Sequence, residues 1–188
     1  WLNLLDAKVI GMALRPEKGS ILFDKLSLSK KIKQIYLDIN NFKKLNQIIK
    51  KEKPDIIFHL AAQSIVSKGY KNPLTTFETN LIGSANILES VRLNKISNLV
   101  YITSDKCYLN DGRSNTYSED DILGGDDPYS ASKAGAEIIF HSYQKSFFQN
   151  KRKIKFASGR AGNVIGGGDM KKDGIVPDII RSIKLKRK

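Results

Sequence analysis

Tyr129 and Lys133 stand four residues apart in Pro128-Tyr129-Ser130-Ala131-Ser132-Lys133, so a helix built there shows phenol and ammonium on one face. A cation beside a phenol lowers its pKa, and the tyrosinate can then take a proton from a sugar hydroxyl near neutral pH. That chemistry fits hydride transfer to a nicotinamide. The spacing alone carries nothing: seven tyrosines among twenty-five lysines give about one such pair by chance, and one occurs. The surroundings carry more. Asp127-Pro128 supplies a cap and a first turn for the helix. About two dozen residues earlier, an apolar run ends in Thr103-Ser104-Asp105-Lys106-Cys107-Tyr108. There Ser104 can polarise the same hydroxyl, while Asp105 and Lys106 offer an acid and a base.

These groups need a scaffold, and the chain supplies a regular one. Five short apolar runs read as strands: Lys8 to Leu14, Ile35 to Ile39, Asp55 to Ala62, Asn98 to Ser104, and Ile154 to Ser158. Their Val and Ile content suits strands covered on both faces. Between them lie helical patterns. Phe42, Leu45, Ile48 and Ile49 keep a 3.6-residue period that Pro54 stops. Phe77, Leu81, Ile82, Ala85, Leu88 and Val91 form a second stripe across Pro73 to Leu93. Tyr129 to Phe148 gives a third helix, and Asp178 to Leu185 starts a last one. Repeated strand–helix–strand units predict an α/β fold with a doubly wound parallel sheet. Ligands of such sheets sit at the carboxyl ends of the strands. The residues there are Asp38-Ile39, Leu60-Ala61-Ala62-Gln63-Ser64, Thr103 to Lys106, and Arg160-Ala161-Gly162-Asn163.

Composition excludes several classes. With 188 residues, 40% apolar and 27% charged, the chain has about one domain's length and too much apolar content for disorder. No apolar run reaches the roughly 18 residues of a membrane span. One cysteine, Cys107, rules out an internal disulfide framework, and with only His59 and His141 beside it no metal site is expected. The net charge of +13 raises a nucleic-acid partner, but only seven cations are Arg and the lysines are scattered over polar helix positions. A lysine-rich solvated surface is the expectation, with no nucleic acid and no membrane as partners. His59 reads as a packed strand residue, His141 as a helix-face residue and Cys107 as a core filler.

A dinucleotide fold opens with a strand and a glycine-rich turn that meets the pyrophosphate. Trp1 to Leu5 reads instead as a helix end running into the strand at Lys8, so the first strand and its turn are expected before Trp1. The cluster Gly166-Gly167-Gly168-Asp169 follows a late strand and cannot replace that turn. Residues 1–188 are therefore expected to be a partial NAD(P)-binding Rossmann-like domain, with a substrate lobe mostly beyond Lys188 and weak cofactor affinity by itself.

Taken together, Thr103 to Tyr108, Asp126 to Lys133, Arg160 to Asp169 and His59-Leu60-Ala61-Ala62-Gln63 resemble the extended short-chain dehydrogenase/reductase family, and within it the CDP-glucose branch of the nucleotide-sugar 4,6-dehydratases. The resemblance covers nearly the whole chain. It implies a lyase that removes water from CDP-glucose, giving a 4-keto-6-deoxy sugar through transient oxidation at C4 by bound NAD. By that likeness Tyr129 takes the 4-hydroxyl proton with Ser104, and Lys133 holds the nicotinamide ribose and keeps the phenol acidic. Asp105 protonates the departing 6-hydroxyl and Lys106 is the C5 base. The dTDP branch carries Glu at the position of Lys106, which points to the CDP branch. A lysine base must be neutral.

For the cofactor, the resemblance places Asp38 and Ile39 along the adenine, Leu60, Ala61, Ala62 and Gln63 along the ribose and pyrophosphate, and Thr79 at a further contact beside Tyr129 and Lys133. Ser64, Ser104, Arg160 and Asn163 fall on the substrate side, Arg160 facing the diphosphate. The acid that binds the ribose hydroxyls is replaced by Ala13-Leu14-Arg15, which leaves NADP open although the family favours NAD. A cytoplasmic homodimer serving deoxysugar and surface lipopolysaccharide synthesis is implied likewise. The competing readings are a sibling epimerase, a dTDP- or GDP-sugar dehydratase, and a non-catalytic nucleotide- or polyanion-binding module.

Overall fold

A computed structural model describes residues 1–16, 21–148, 155–169 and 174–185. In chain order these form a 3-10 turn (Leu2–Leu5), β1 (Ile10–Ala13), α1 (Ile21–Lys25), α2 (Leu28–Lys31), β2 (Lys33–Tyr36), α3 (Phe42–Glu52), β3 (Ile57–His59), α4 (Val66–Lys71) and α5 (Pro73–Phe77). A π turn (Glu78–Ile82) leads into α6 (Gly83–Leu93), followed by β4 (Asn98–Ile102), a 3-10 turn (Asp105–Cys107) and α7 (Pro128–Tyr143). A second π turn (Gln144–Phe148), β5 (Lys155–Gly159) and α8 (Ile175–Lys184) complete them.

The chain divides into two compact units, Trp1–Asp38 with Val164–Lys188, and Ile39–Asn163. In the first, β1 and β2 pair in parallel from Ile10 opposite Lys33 to Ala13 opposite Tyr36. In the second, β3, β4 and β5 form a parallel sheet in that order, with Leu99 opposite both Ile57 and Phe156. Every pair in both sheets is parallel and joins strands separated by helices. The expected α/β, doubly wound parallel arrangement is what the strands show.

Local signals set most boundaries. The Asn41 side chain accepts the Lys44 N–H at 3.1 Å and caps α3, and Lys53 ends it in the left-handed conformation at φ 46°. Leu45 and Ile49 turn to the core while Ile48 is only partly covered. The Asp127 carboxylate accepts the N–H groups of Tyr129 at 2.9 Å and Ser130 at 3.1 Å, and Pro128 takes the first turn of α7. Gly125 is required where the preceding loop meets that helix: a Cβ there would lie 2.4 Å from the Ala131 nitrogen.

Several expectations shift. Strand pairing starts at Lys33 and ends at Tyr36, because the Leu37 N–H makes the last bond, to the Ala13 carbonyl, before the chain turns away. The run from Asp55 shrinks to Ile57–His59, and Phe58 is 41% exposed. In β4 the face of Leu99 and Tyr101 is buried while Asn98, Val100 and Ile102 on the other face are partly covered, so neither strand is fully covered on both faces. Ile82 belongs to the predicted stripe yet is exposed, because the wider π turn changes the phase of the helix there. Trp1 to Leu5 contributes one 3-10 turn closed by Asp6 at φ 58°. Ile154 and the tail from Lys186 lie outside the described residues.

Candidate active site

The carboxyl end of β4 and the first two turns of α7 build one cluster in the Ile39–Asn163 unit. Tyr129, Lys133 and Ser104 are all buried, at 9%, 7% and 6% exposure. Lys133 Nζ donates to the Ile102 carbonyl at 3.4 Å, two residues before Ser104. The Ser104 hydroxyl donates to Asp105 Oδ1 at 3.1 Å, accepts the Lys106 N–H at 3.3 Å and lies in side-chain hydrogen-bond contact with the Tyr129 phenol. Asp105 and Lys106 stand exposed on the 3-10 turn. The sequence motifs that lie 25 residues apart thus meet at one strand end.

Electrostatics there differ from the expectation in one respect. Burial pushes the Tyr129 phenol above the ordinary tyrosine value; the Ser104 bond pulls it down, and the carboxylates of Asp105 and Asp127 push it further up. Lys133 therefore does not leave this phenol acidic. Its own ammonium is turned to the Ile102 carbonyl and held below the ordinary lysine value by desolvation, against the pull of Cys107 and Glu137. Burial also drives His59 down to about 4, where its Nε2 lies 2.9 Å from the Ser84 hydroxyl, and lifts the Cys107 thiol to about 11. His59 and Cys107 are packed groups, as expected; His141 is exposed on α7.

The ends of β4 and β5 run on together beyond their ladder. Thr103 N–H donates to the Gly159 carbonyl at 2.9 Å and Asp105 N–H to the Ala161 carbonyl at 3.0 Å. A Cβ on Gly162 would lie 3.7 Å from Asp105 Oδ2, so the carboxylate rests over that glycine. Arg160, expected to face a diphosphate, is turned inward. Its Nε and Nη2 donate to Glu137 Oε2 at 3.2 and 3.1 Å and its Nη1 to the Glu119 carbonyl at 2.9 Å. A buried carboxylate opposite it takes up those donors. Asn163 is exposed.

The end of β3 behaves differently residue by residue. Leu60 is 67% exposed, Ala61 and Ala62 are half-buried, and Ser64 is exposed. Gln63 is held by the protein: its amide donates to Thr76 Oγ1 at 2.9 Å and to the Ile65 carbonyl at 3.1 Å, and its Oε1 accepts the Ile65 N–H at 2.7 Å. Thr79 sits half-buried in the π turn, a feature found often at functional sites. Ile39 is buried beneath Gly83, where a Cβ would come within 2.5 Å of its side chain. Asp38 is exposed and belongs to the other unit.

Two groups escaped the sequence reading. Asn80 is buried and clamps the Gln63 backbone, accepting its N–H at 2.8 Å and donating to its carbonyl at 2.9 Å, while also donating to Ser132 Oγ at 2.9 Å. Glu137 is buried one turn beyond Lys133. A polar residue at an apolar phase of each helix was the available signal. Among the described residues no His, Cys, Asp and Glu cluster could hold a metal ion, and no helix is long and apolar enough to cross a membrane.

The fold is a parallel α/β one in which a helix carrying Tyr129 and Lys133 packs beside a strand that leads into Ser104. The family described as GDP-mannose 4,6 dehydratase matches residues 12–184, and the chain belongs to it. A CDP-glucose 4,6-dehydratase of Salmonella typhimurium is 41% identical across 98% of this chain and 53% of its own length. The chain thus spans about half the length of that relative. Among solved structures, a dTDP-glucose 4,6-dehydratase of Streptomyces venezuelae, determined with NAD and TYD bound, superposes with a TM-score of 0.80 at 19% identity, covering 95% of this chain and 53% of that one. A UDP-glucose 4-epimerase of Thermotoga maritima, determined with UDP-glucose, gives 0.74 at 18% identity, over 96% of this chain and 64% of that one. Both likenesses speak to the fold.

Proposed function

We propose that this chain is the cofactor-binding part of an NAD-dependent nucleotide-sugar 4,6-dehydratase acting on CDP-glucose. The observation that carries the reading is the meeting of buried Tyr129, Lys133 and Ser104 at the end of β4, with Asp105 and Lys106 exposed beside them. The 41% identity to a CDP-glucose 4,6-dehydratase supports the choice of substrate, as does Lys106. The donor set fits a dinucleotide. Small Ala61 and Ala62 follow β3, and Lys133 Nζ bonds one carbonyl, which leaves donors for ribose hydroxyls. Thr79, Ile39, Leu60 and Gln63 complete the proposed contacts within this unit, Gln63 by its backbone because its side chain is taken.

A bound nicotinamide supplies a reversible hydride acceptor and donor. The remaining work falls to the chain. Ser104, in hydrogen-bond contact with the Tyr129 phenol, orients the sugar 4-hydroxyl beside that phenol. Tyr129 removes that proton at its phenolic oxygen, and the Ser104 bond is what counters the upward push of burial on this group. Asp105 then donates a proton to the departing 6-hydroxyl while Lys106 accepts the C5 proton. Both stand exposed beside the cluster, so Lys106 acts as a neutral base only once bound substrate has shut water out around it. Arg160 and Ser64 lie outside this chemistry: the first serves the Glu137 pair, and the second, like Asn163, is left to contact the nucleotide. The same reading implies a cytoplasmic homodimer feeding deoxysugar and lipopolysaccharide synthesis, with a substrate lobe supplied by further chain.

The test is incubation of the full-length protein with CDP-, dTDP- and GDP-hexoses in the presence of NAD. A 4-keto-6-deoxy product from CDP-glucose alone is expected. Product from another nucleotide would move the chain to a sibling dehydratase, and C4 inversion without loss of water would make it an epimerase.

A further inference from the structure

Glu137 is 4% exposed on an apolar stretch of α7, four residues past Lys133 and eight past Tyr129. Burying a carboxylate is unfavourable unless hydrogen bonds and a counter-charge replace its water. Here each bond it accepts comes from a strand end of the site. Oε1 takes the hydroxyl of Thr103, the residue before Ser104, at 2.5 Å. Oε2 takes Ser158 Oγ at 3.2 Å together with Arg160 Nε and Nη2. Arg160 in turn lies 4.9 Å over the Tyr108 ring, which stacks on Tyr117 at 5.0 Å, with Arg113 over Tyr117 at 4.2 Å. One carboxylate therefore joins α7, the end of β4, the end of β5 and the loop that follows the 3-10 turn.

We propose that Glu137 is a positioning residue for the Tyr129–Lys133 pair: its bonds fix the register of α7 against Thr103-Ser104, and its charge keeps the neighbouring Lys133 an ammonium inside the protein. The proposal rests on the reading of Lys133 as the cation that holds the ribose. Three ionisable groups bear on Lys133: His59 from β3, Cys107 from the 3-10 turn, and Glu137 from its own helix. Arg160 is paired to Glu137. At about 4 the His59 ring is neutral near pH 7, and at about 11 the Cys107 thiol is neutral too. Glu137 receives two hydroxyls and a guanidinium, the donor set of a carboxylate. Burial lowers Lys133, and Glu137 acts against that.

The experiment follows the Lys133 13Cε resonance through a pH titration of the chain with 13C-labelled lysine, assigned by its loss in Lys133→Arg. Glu137→Gln keeps the shape and the oxygen facing Thr103 but removes the charge. It is expected to move the Lys133 titration down by about half a pH unit or more. Thr103→Val, which takes one bond and no charge, leaves the titration in place, and Glu137→Asp restores it. A folded Glu137→Gln protein with an unmoved Lys133 overturns the proposal. Should that variant not fold, the 13Cδ resonance of Glu137 in the wild-type chain decides: an ionised carboxylate at pH 7 is required, and a protonated one overturns it. None of these readouts needs substrate. A full-length protein that dehydrates no nucleotide sugar while Lys133 still shifts would remove the enzymatic reading and leave the role of Glu137 standing.

Discussion

The two ends of β4 obey different physics. At the carboxyl end, Thr103, Ser104, Lys133 and Glu137 are polar, buried and bonded to one another's elements, so each position depends on its neighbours. At the amino end, Lys50, Lys53 and Lys95 line an open hollow of about 330 Å³ with Asp55, Asn94 and Ser97. Those three lysines are exposed, and the two helix ends there stop in left-handed residues, Lys53 and Lys95. Water solvates the charges at one end; protein must do so at the other. Substitutions should therefore be felt at the carboxyl end and absorbed at the amino end.

The largest expected loss lies between the two ends. Leu99, 1% exposed with Ile57 and Phe156 as strand partners, should cost about 2–5 kcal/mol as Leu99→Ala in chemical denaturation. A smaller loss would mean that the sheet is less tightly packed than its burial indicates. Next is His59. Its folded pKa of about 4 lies below the ordinary 6.5, so the unfolded chain binds the extra proton first. Stability from this group is present above about pH 6.5 and declines down to about pH 4, by about 3 kcal/mol in all. His59→Gln should flatten that part of the thermal stability profile against pH, and an unchanged slope would show that the ring is solvated. Asp127→Ala removes the cap of α7 and should cost about 1 kcal/mol, read as a drop in the denaturation midpoint. Smallest of all, Lys50→Ala should change stability by less than about 0.5 kcal/mol. A large effect there would erase the contrast between the two ends.

Sequence made the long elements legible. Periodicity placed α3, α7 and the helical stretch from Pro73 to Leu93 close to their observed limits, because amphipathic stripes of three turns or more leave a clear pattern. It missed α1, α2 and α4, which have four to six residues and no room for a period. The site splits in the same way. Tyr129, Lys133 and Ser104 could be found because motif and strand end coincide, and they do meet. Arg160 looks like a phosphate ligand in the sequence because its partner, Glu137, lies 23 residues away and is brought to it only by folding. The acidity of Tyr129 could not be read either, since desolvation depends on what packs around the ring.

The most direct test of the whole account replaces one oxygen. Tyr129→Phe in the full-length protein keeps the ring, its packing and the Asp127 cap, and removes the phenolic group that the dehydratase reading uses as its base. Turnover of CDP-glucose with NAD should fall by about 10²-fold or more, with the denaturation midpoint little changed. Turnover retained within a few-fold of wild type would contradict the assignment of Tyr129 and, with it, the account of the β4 end as the reacting centre.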